Sequence, residues 1–334
     1  MHYAQGNQPL YEYTGIDRWH KAGYTGQGIK ICVVDIDYPV ELARFPDKIV
    51  KIGSSGNAFD PQRKGRATVH GQNSVDVVQQ ICPDAEIYFA RYQHGLNRVV
   101  DHCITNDVDI LTLSMSYGYK PITAAKSQEA VDAGILLMSS AGNCGHTPGD
   151  ELRYPAGKSN WMAVGSAILN PADRTVVRAS SSSTGHELEV MAFLCGFITL
   201  QGYDIAYCGT SHACPMLAGM FGLYRQKYGR VPKEDMRLLL QKHCMDLDQE
   251  GRDIMTGWGF FRLPNPETGE RMREIVLQID NNVAIVDGEP VTIDQAPYID
   301  PRSDRTVVPL SFIGRQLGAD VQWIPDGKKI IIRG

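Results

Sequence analysis

The feature that most constrains the fold is a regular alternation of short apolar runs with helical patterns over the first ~265 residues. Apolar runs of strand length occur at residues 29–34, 85–90, 109–114 and 135–138. Short continuous runs of this kind are typical of strands buried on both faces of a parallel sheet. The alternation therefore predicts an α/β domain with a mainly parallel sheet and helices on both faces.

Composition narrows the class of protein further. The chain has 334 residues, of which 43% are hydrophobic, so it has enough apolar surface for two domains with substantial cores. The net charge of -5 argues against nucleic acid as a partner. No apolar run reaches the length of about 18 residues that a membrane span needs. The N-terminus lacks the basic start and apolar stretch of a signal peptide, so synthesis in the cytoplasm is expected.

A change of pattern divides the chain. The segment Leu263–Gly269 contains two prolines and a glycine, which is typical of a linker. Beyond it, strand-like runs at 275–279 and 283–286 precede a helical pattern around Leu310 and Ile313. We therefore predict one domain over residues 1–266 and a small α+β domain over residues 271–334.

The cysteines offer two interpretations. The chain has eight, at positions 32, 82, 103, 144, 195, 208, 214 and 244. A disulfide framework is typical of short secreted chains, so reduced buried thiols are the favoured interpretation. Cys208, His212 and Cys214 lie close together and make a zinc site the alternative, although their spacing matches no common zinc pattern.

Four polar segments follow apolar runs or open helical patterns, where active sites of parallel sheets lie. They are residues 33–37 (VVDID), 69–73 (VHGQN), 140–143 (SAGN) and 209–215 (GTSHACP). A serine hydroxyl needs a neighbouring imidazole as base, and a carboxylate can orient that imidazole. An asparagine amide and a backbone N–H at a helix start can stabilise an oxyanion. Together these segments indicate acyl transfer.

These motifs, in the order Asp, His, Asn, Ser, resemble those of the subtilisin-like serine proteases, the subtilases. The resemblance covers residues 9–266 and includes YPAG at 154–157 and TGWG at 256–259. It implies that Ser211 is the nucleophile, His70 the general base and acid, Asp35 the orienting carboxylate and Asn143 an oxyanion donor. Asp37 competes with Asp35, which is preferred because it directly follows the apolar run.

The resemblance also implies where a peptide substrate binds. It would lie as an added strand against two segments, one being Ser114, Met115 and Ser116, and the other Ser140, Ala141 and Gly142. Arg153 takes the place where the family lines the pocket for the residue before the cut bond. A cation there would favour an acidic residue, unless Arg153 is an ordinary surface arginine. A cis peptide bond is expected before Pro155.

Several positions depart from the family pattern. The usual HGTHVAG reads HGQNSVD from His70, Ile36 and Asp37 follow the aspartate, and His212 replaces a methionine. His212 is interpreted as a packing substitute. These departures motivate the alternative of a pseudoprotease that binds peptides or partners on the same scaffold. The resemblance implies no cofactor and no metal in catalysis. The short stretch from His70 to Pro83 indicates that the usual calcium loop is missing, while calcium binding at another place stays an open alternative.

The C-terminal part resembles the N-terminal domain of copper amine oxidases. The matching residues are 305–313 (RTVVPLSFI) and 317–323 (LGADVQW). Residues 271–334 contain neither histidine nor cysteine, so copper binding is not expected. A binding or spacer role, with an envelope or assembly partner, is expected for this domain instead. Such a role leaves open that the protein associates with the envelope or acts outside the cell. The subtilase resemblance begins close to Met1, so no pro-segment is expected before it. An adhesin carrying a vestigial protease is a third interpretation.

Overall fold

The computed structural model describes residues 4–36, 44–52, 70–117, 122–145, 152–170, 172–200, 203–231, 233–267, 275–286, 289–316, 320–324 and 329–333. Asp37, the competing acid of the sequence analysis, lies outside the described residues. The chain divides into two units, Met1–Glu270 and Arg271–Gly334, and each is described by itself.

The first unit is built on a ten-stranded sheet and a separate two-stranded hairpin. The strands are β1 (Lys30–Asp35), β2 (Ile49–Ile52), β3 (Glu86–Arg91), β4 (Ile110–Leu113), β5 (Leu136–Ser140), β6 (Met162–Leu169), β7 (Val176–Arg178), β8 (Leu188–Phe193), β9 (Cys195–Leu200), β10 (Tyr203–Cys208), β11 (Cys244–Met245) and β12 (Phe260–Phe261). The helices are α1 (Gln8–Thr14), α2 (Ile16–Lys21), α3 (His70–Ile81), α4 (Leu96–Thr105), α5 (Ala124–Asp132), α6 (Thr210–Tyr228) and α7 (Lys233–His243).

The main sheet is mostly parallel, as predicted. Its order is β11-β12-β8-β6-β5-β4-β1-β3-β2, with β7 paired to β6, and only the β6/β7 and β11/β12 pairs are antiparallel. Strand β1 lies in the middle between β3 and β4, and residues 31–34 are buried. The four apolar runs fall on β1, β3, β4 and β5 to within two residues at each end. Burial on both faces explains why these strands are uninterrupted apolar runs.

Helix α6 crosses the core and is buried along most of its length. It packs on α3 at Gly219, where an added Cβ would lie 2.8 Å from the Cβ of Ile81. Gly222 lies equally close to the Cys82 sulfur, at 2.8 Å from such a Cβ. These close contacts bring α6 against α3 and β1. The N-termini of α6 and α3 therefore lie near the carboxyl end of β1.

Strands β9 and β10 form a hairpin that pairs with no other described strand. Cys195 and Cys208 face each other in its register and form a disulfide bond. The prediction that all the cysteines are reduced is therefore wrong for this pair, because a hairpin brings residues 13 apart into direct opposition. The bridge also removes Cys208 from the alternative zinc site. The remaining cysteines are free thiols, four of them buried.

In its described residues, the second unit contains small antiparallel sheets and one helix. Its elements are β13 (Ile275–Val276), β14 (Val283–Val286), β15 (Glu289–Thr292), β16 (Tyr298–Asp300), β17 (Arg305–Val307), α8 (Leu310–Gln316), β18 (Asp320–Ile324) and β19 (Lys329–Arg333). The first three strands form one sheet, while β16/β17 and β18/β19 form two hairpins. The α+β character agrees with the sequence pattern. In the described part of the chain no helix is long and apolar enough to cross a membrane.

Candidate active site

The carboxylate of Asp35 lies at the carboxyl end of β1 and is fully buried. Its Oδ1 accepts hydrogen bonds from His70 Nδ1 and from the Ile36 N–H, both at 2.7 Å. Its Oδ2 accepts a hydrogen bond from Ser74 Oγ at 2.8 Å. The sequence analysis predicted this position for Asp35, at the edge of the sheet where active sites form. These three donors keep a buried negative charge hydrogen-bonded on both oxygens.

His70 is the first residue of α3, and its side chain is 27% exposed. Because the Asp35 carboxylate can only accept, Nδ1 of the neutral imidazole carries the proton and Nε2 has the free lone pair. Burial lowers the pKa of His70, but the hydrogen bond and the charge of Asp35 raise it more, so the pKa lies above 6.5. The ring is therefore oriented and basic, as a general base requires.

Ser211 is the second residue of α6, so its backbone N–H lies in the first turn, where N–H groups have no partner within the helix. Its hydroxyl donates to the carbonyl oxygen of Ser114 at 3.4 Å, and Ser114 Oγ donates to the Ser211 carbonyl oxygen at 3.1 Å. Within the described part of the chain, no hydrogen bond joins Ser211 to His70.

Tyr207 lies on β10, four residues before Ser211, and the sequence analysis did not single it out. Its hydroxyl lies 3.2 Å from His70 Nε2 and 3.2 Å from Ser74 Oγ. The two rings meet edge to face, with centroids 5.5 Å apart. Ser74 was missed as well, although a residue four positions after His70 in a helix shares its face. No comparable signal in the sequence gives the direction of the Tyr207 side chain.

The side chain of Asn143 is fixed by Thr210. Its Oδ1 accepts the Thr210 backbone N–H at 2.9 Å and the Thr210 hydroxyl at 3.1 Å. Since backbone N–H is a donor, the oxygen of the amide must face Thr210, which leaves Nδ2 as the donor available to a ligand. Gly209, with φ of 112°, brings the backbone close to this amide. Asn143 therefore presents an oriented N–H donor near the start of α6.

The two segments expected to bind substrate follow neighbouring strands. Ser114–Ser116 follows β4, and Ser140–Gly142 lies at the end of β5. Ala141 N–H donates to Val164 O at 2.9 Å, and Gly142 N–H donates to Thr210 Oγ1 at 3.3 Å. The backbone of the second segment is thus partly engaged within the protein, while Ser116 is exposed.

Comparison with known proteins agrees with this architecture. The model of the subtilase family matches residues 60–259, which is more than half of the chain. The chain belongs to the subtilase family. A second family model, the copper amine oxidase N-terminal domain, matches residues 269–332.

This subtilase is similar to the minor extracellular protease Epr of Bacillus subtilis (strain 168), with 29% identity over 262 residues. That match covers 72% of this chain and 39% of the relative. Subtilisin E of the same organism is 31% identical over 232 residues, which cover 63% of this chain and 58% of that protein. The matches thus span between about two fifths and three fifths of these relatives.

Two solved structures show the same fold. One, titled as a lanthipeptide protease, has a TM-score of 0.62 and 17% identity, covering 76% of this chain and 92% of that chain. Sphericase has a TM-score of 0.61 and 19% identity, covering 72% of this chain and 93% of that chain. The α/β fold and the family resemblance predicted from the sequence are confirmed.

His212, which stands beside Ser211 where the family has methionine, is buried at 3% exposure in this subtilase. Its Nδ1 donates to the Phe193 carbonyl oxygen at 2.8 Å, and its ring meets Tyr207 edge to face. Burial lowers the pKa of His212 to about 4. A neutral, hydrogen-bonded ring in this place agrees with the interpretation as a packing substitute.

Arg153 lies in the loop between β5 and β6, and its side chain is exposed. The next peptide bond, Tyr154–Pro155, is cis, as predicted. Tyr154 pairs with Tyr117 as an isolated bridge, and its hydroxyl donates to Ile122 O at 2.6 Å. The bridge joins the Arg153 segment to the chain that continues from Ser116. An effect of Arg153 on the choice of substrate stays a prediction.

Proposed function

We propose that this subtilase is a serine endopeptidase in which Ser211, His70 and Asp35 carry out peptide-bond hydrolysis. The observation that carries the proposal is the 2.7 Å hydrogen bond between His70 Nδ1 and the buried Asp35 carboxylate. It lies beside the N-terminus of α6, where Ser211 stands. A buried carboxylate that orients an imidazole stabilises the imidazolium formed when the base takes a proton.

The first half of the reaction forms an acyl-enzyme. Ser211 Oγ attacks the carbonyl carbon of the substrate while His70 Nε2 takes the hydroxyl proton. The oxyanion that forms accepts hydrogen bonds from Asn143 Nδ2 and from the Ser211 backbone N–H. The C–N bond then breaks as Nε2–H passes its proton to the leaving nitrogen. The products of this step are an ester on Ser211, a free amine and a neutral imidazole.

The second half releases the acid. A water molecule gives one proton to His70 Nε2 and attacks the ester carbon. The new oxyanion uses the same donors. The C–O bond to Ser211 breaks, and the proton on Nε2 returns to Ser211 Oγ. The sequence analysis expected no cofactor in this chemistry, and in this scheme His70 Nε2 carries the proton in each transfer.

The substrate proposed for this site is an extended peptide that lies along Ser114–Ser116 and Ser140–Gly142. Backbone pairing with these segments would hold the carbonyl carbon near Ser211. The guanidinium of Arg153 would favour an acidic residue just before the cut bond. For residues 271–334 we propose a binding or spacer role with an envelope or assembly partner. For the location we propose synthesis in the cytoplasm with function outside the cell or at the envelope.

A pseudoprotease is the second candidate. The observation that favours it is that the hydroxyl of Ser211 donates to Ser114 O rather than to His70. In that case the same groove binds a peptide without cutting it. The two candidates differ in whether Ser211 reacts as a nucleophile.

Covalent labelling by a fluorophosphonate tests the proposal directly. The protein should be labelled on Ser211, and the Ser211→Ala variant should not react. The labelling rate should rise with pH through a midpoint above 6.5, because only neutral His70 accepts the serine proton and Asp35 raises its pKa. Digestion of a peptide library, with Ser211→Ala as the control, extends the test to turnover. An unlabelled protein of native melting temperature would favour the pseudoprotease.

A further inference from the structure

The free ring nitrogen of His70 already has a partner. Nδ1 carries the proton that is donated to Asp35, so Nε2 has one lone pair and accepts one hydrogen bond. The hydroxyl of Tyr207, 3.2 Å away, lies where that donor must be. A base whose lone pair is held by a phenol cannot accept the proton of Ser211 at the same time.

The phenol hydroxyl is buried and has two acceptors within reach. It lies 3.2 Å from His70 Nε2 and 3.2 Å from Ser74 Oγ, whose own hydrogen is donated to Asp35 Oδ2 at 2.8 Å. Tyr207 is 7% exposed. A buried phenol needs a partner for its single hydrogen, and the imidazole nitrogen is the more basic of the two acceptors.

Ser211 agrees with this arrangement. Its hydroxyl donates to Ser114 O at 3.4 Å, and it makes no described hydrogen bond to His70. Because the serine hydrogen faces Ser114 O, the lone pair of Nε2 is left to the phenol hydrogen. The serine and its base are thus not hydrogen-bonded to each other in the resting enzyme.

The position of the phenol oxygen is also the position that a substrate needs. During cleavage the leaving nitrogen must come within about 3 Å of Nε2 to receive its proton. We propose that Tyr207 is a latch: its phenol holds Nε2 of His70 in the resting enzyme at the place of the leaving nitrogen, and the substrate displaces it. The proposal rests on the proposed function, since it assumes that His70 serves Ser211.

The surroundings of Tyr207 allow this movement. Strand β10 pairs with β9 alone among the described strands, so rotation of one side chain disturbs no hydrogen bond of the ten-stranded sheet. The next residue, Cys208, is bonded to Cys195, which keeps the backbone of β10 in place. The latch therefore closes again at the same position after each turnover.

The other titratable groups that face the phenol do not change charge near neutral pH. Burial raises the pKa of Cys214 to about 12 and lowers that of His212 to about 4. Burial, followed by the charge of Asp35, raises the pKa of Tyr207, so the phenol stays a neutral donor. Asp35 accepts three hydrogen bonds, from His70, Ser74 and the Ile36 N–H. At about pH 8 a variant of Tyr207 thus changes hydrogen bonding at His70 and no nearby charge.

The test compares the second-order rate of fluorophosphonate labelling in the full chain and in Tyr207→Phe. Removal of the hydroxyl frees Nε2, so labelling should become about two- to tenfold faster, the factor that corresponds to one net hydrogen bond. Tyr203→Phe is the matched control, because Tyr203 lies on the same strand and is 75% exposed. That variant should label at the wild-type rate. A purely structural role for Tyr207 predicts no increase.

A second variant changes the rate in the opposite direction. 3-Fluorotyrosine at position 207 has nearly the size of tyrosine and is a stronger hydrogen-bond donor, so it should slow labelling. If Tyr207→Phe has a lowered melting temperature, the fluorotyrosine variant is the one that tests the latch. Slower labelling of a folded Tyr207→Phe, or faster labelling with fluorotyrosine, would show that the phenol passes the proton on, and it would overturn the latch. Equal labelling rates in the wild type and both variants would also overturn it. Absence of labelling in the wild type would instead refute the proposed function.

Discussion

The replacement of His212 by methionine gives a prediction about stability against acid. His212 is buried beside the nucleophile, and its Nδ1 donates to the Phe193 carbonyl oxygen. Since a carbonyl oxygen only accepts, this geometry suits the neutral ring. Protonation would place a charge in a buried site, and burial accordingly lowers the pKa from 6.5 to about 4. The unfolded chain therefore binds this proton at higher pH than the folded protein does.

The magnitude follows from the two pKa values. The gap between 6.5 and about 4, at about 1.4 kcal/mol for each pKa unit, corresponds to about 3 kcal/mol of the free energy of unfolding. This stability is present above pH 6.5 and is lost as the pH falls towards 4, because the unfolded state is protonated first. His212→Met removes the titrating group and so removes this loss. The Phe193 carbonyl loses its donor, which lowers stability by an amount that does not depend on pH.

Denaturant unfolding between about pH 7 and pH 4 measures the effect. The free energy of unfolding of the wild type should fall by about 3 kcal/mol more than that of His212→Met over this range. Titrating groups that the two proteins share cancel in the difference. His186→Met is a matched control, because it makes the same replacement at an exposed position of the same unit. Parallel curves for the wild type and His212→Met would refute the reasoning.

Three further predictions concern the site and its hairpin. Asn143→Ala should lower kcat about 10²- to 10³-fold with little change in KM, a magnitude taken from the corresponding donor of subtilisin. Thr210→Val should lower kcat only about fivefold, since the Thr210 N–H still orients Asn143. Peptide hydrolysis measures kcat for both variants. An unchanged kcat for Asn143→Ala would contradict the role of Asn143 as an oxyanion donor. Loss of the disulfide in Cys195→Ala/Cys208→Ala should lower the free energy of unfolding by about 3 kcal/mol. Reduced wild type should unfold like that variant, and equal stability of the oxidised wild type and the variant would argue against the bridge. Arg153→Gln should abolish a preference for Glu over Leu or Phe before the cut bond, and a wild type that prefers Leu or Phe excludes the idea.

The parts of the fold that the sequence predicted are those that depend on short-range patterns. The runs at 29–34, 85–90, 109–114 and 135–138 are buried strands because both faces of the sheet are covered. The meeting of Asp35 with His70 was also predictable, since the acid ends a strand and the histidine opens a helix on the same side of the sheet.

The parts that were missed depend on the direction of side chains. Tyr207 lies on β10, which pairs with β9 outside the main sheet, and from there its hydroxyl reaches His70. The sequence pattern of residues 195–208 does not predict the orientation of this hairpin. The disulfide was missed for the same reason, because pairing of Cys195 with Cys208 requires the register of the two strands. Ser74 was within reach of sequence reasoning, as it lies four residues after His70 on one helix face.

The end of the first unit is defined by contacts rather than by the linker composition alone. Leu263 N–H donates to Thr14 O at 2.9 Å, and Trp19 Nε1 donates to the Pro264 carbonyl oxygen at 2.7 Å. Leu263 is 2% exposed, and both hydrogen bonds attach the segment to α1 and α2. A chain that ends at Glu270 keeps these contacts, whereas a chain that ends at Arg262 loses them.

The two truncated chains should therefore differ in stability and in labelling. The longer one should keep the melting temperature of the first unit and the fluorophosphonate reactivity of Ser211. The shorter one should lose about 3–5 kcal/mol, from the burial of one leucine and two hydrogen bonds that leave a buried indole N–H and a carbonyl unpaired. Differential scanning calorimetry and labelling measure both effects. Loss of labelling in the chain ending at Glu270 would mean that residues 271–334 take part in the active enzyme, and equal stability of the two chains would mean that the contacts of Leu263 and Pro264 do not hold the unit together.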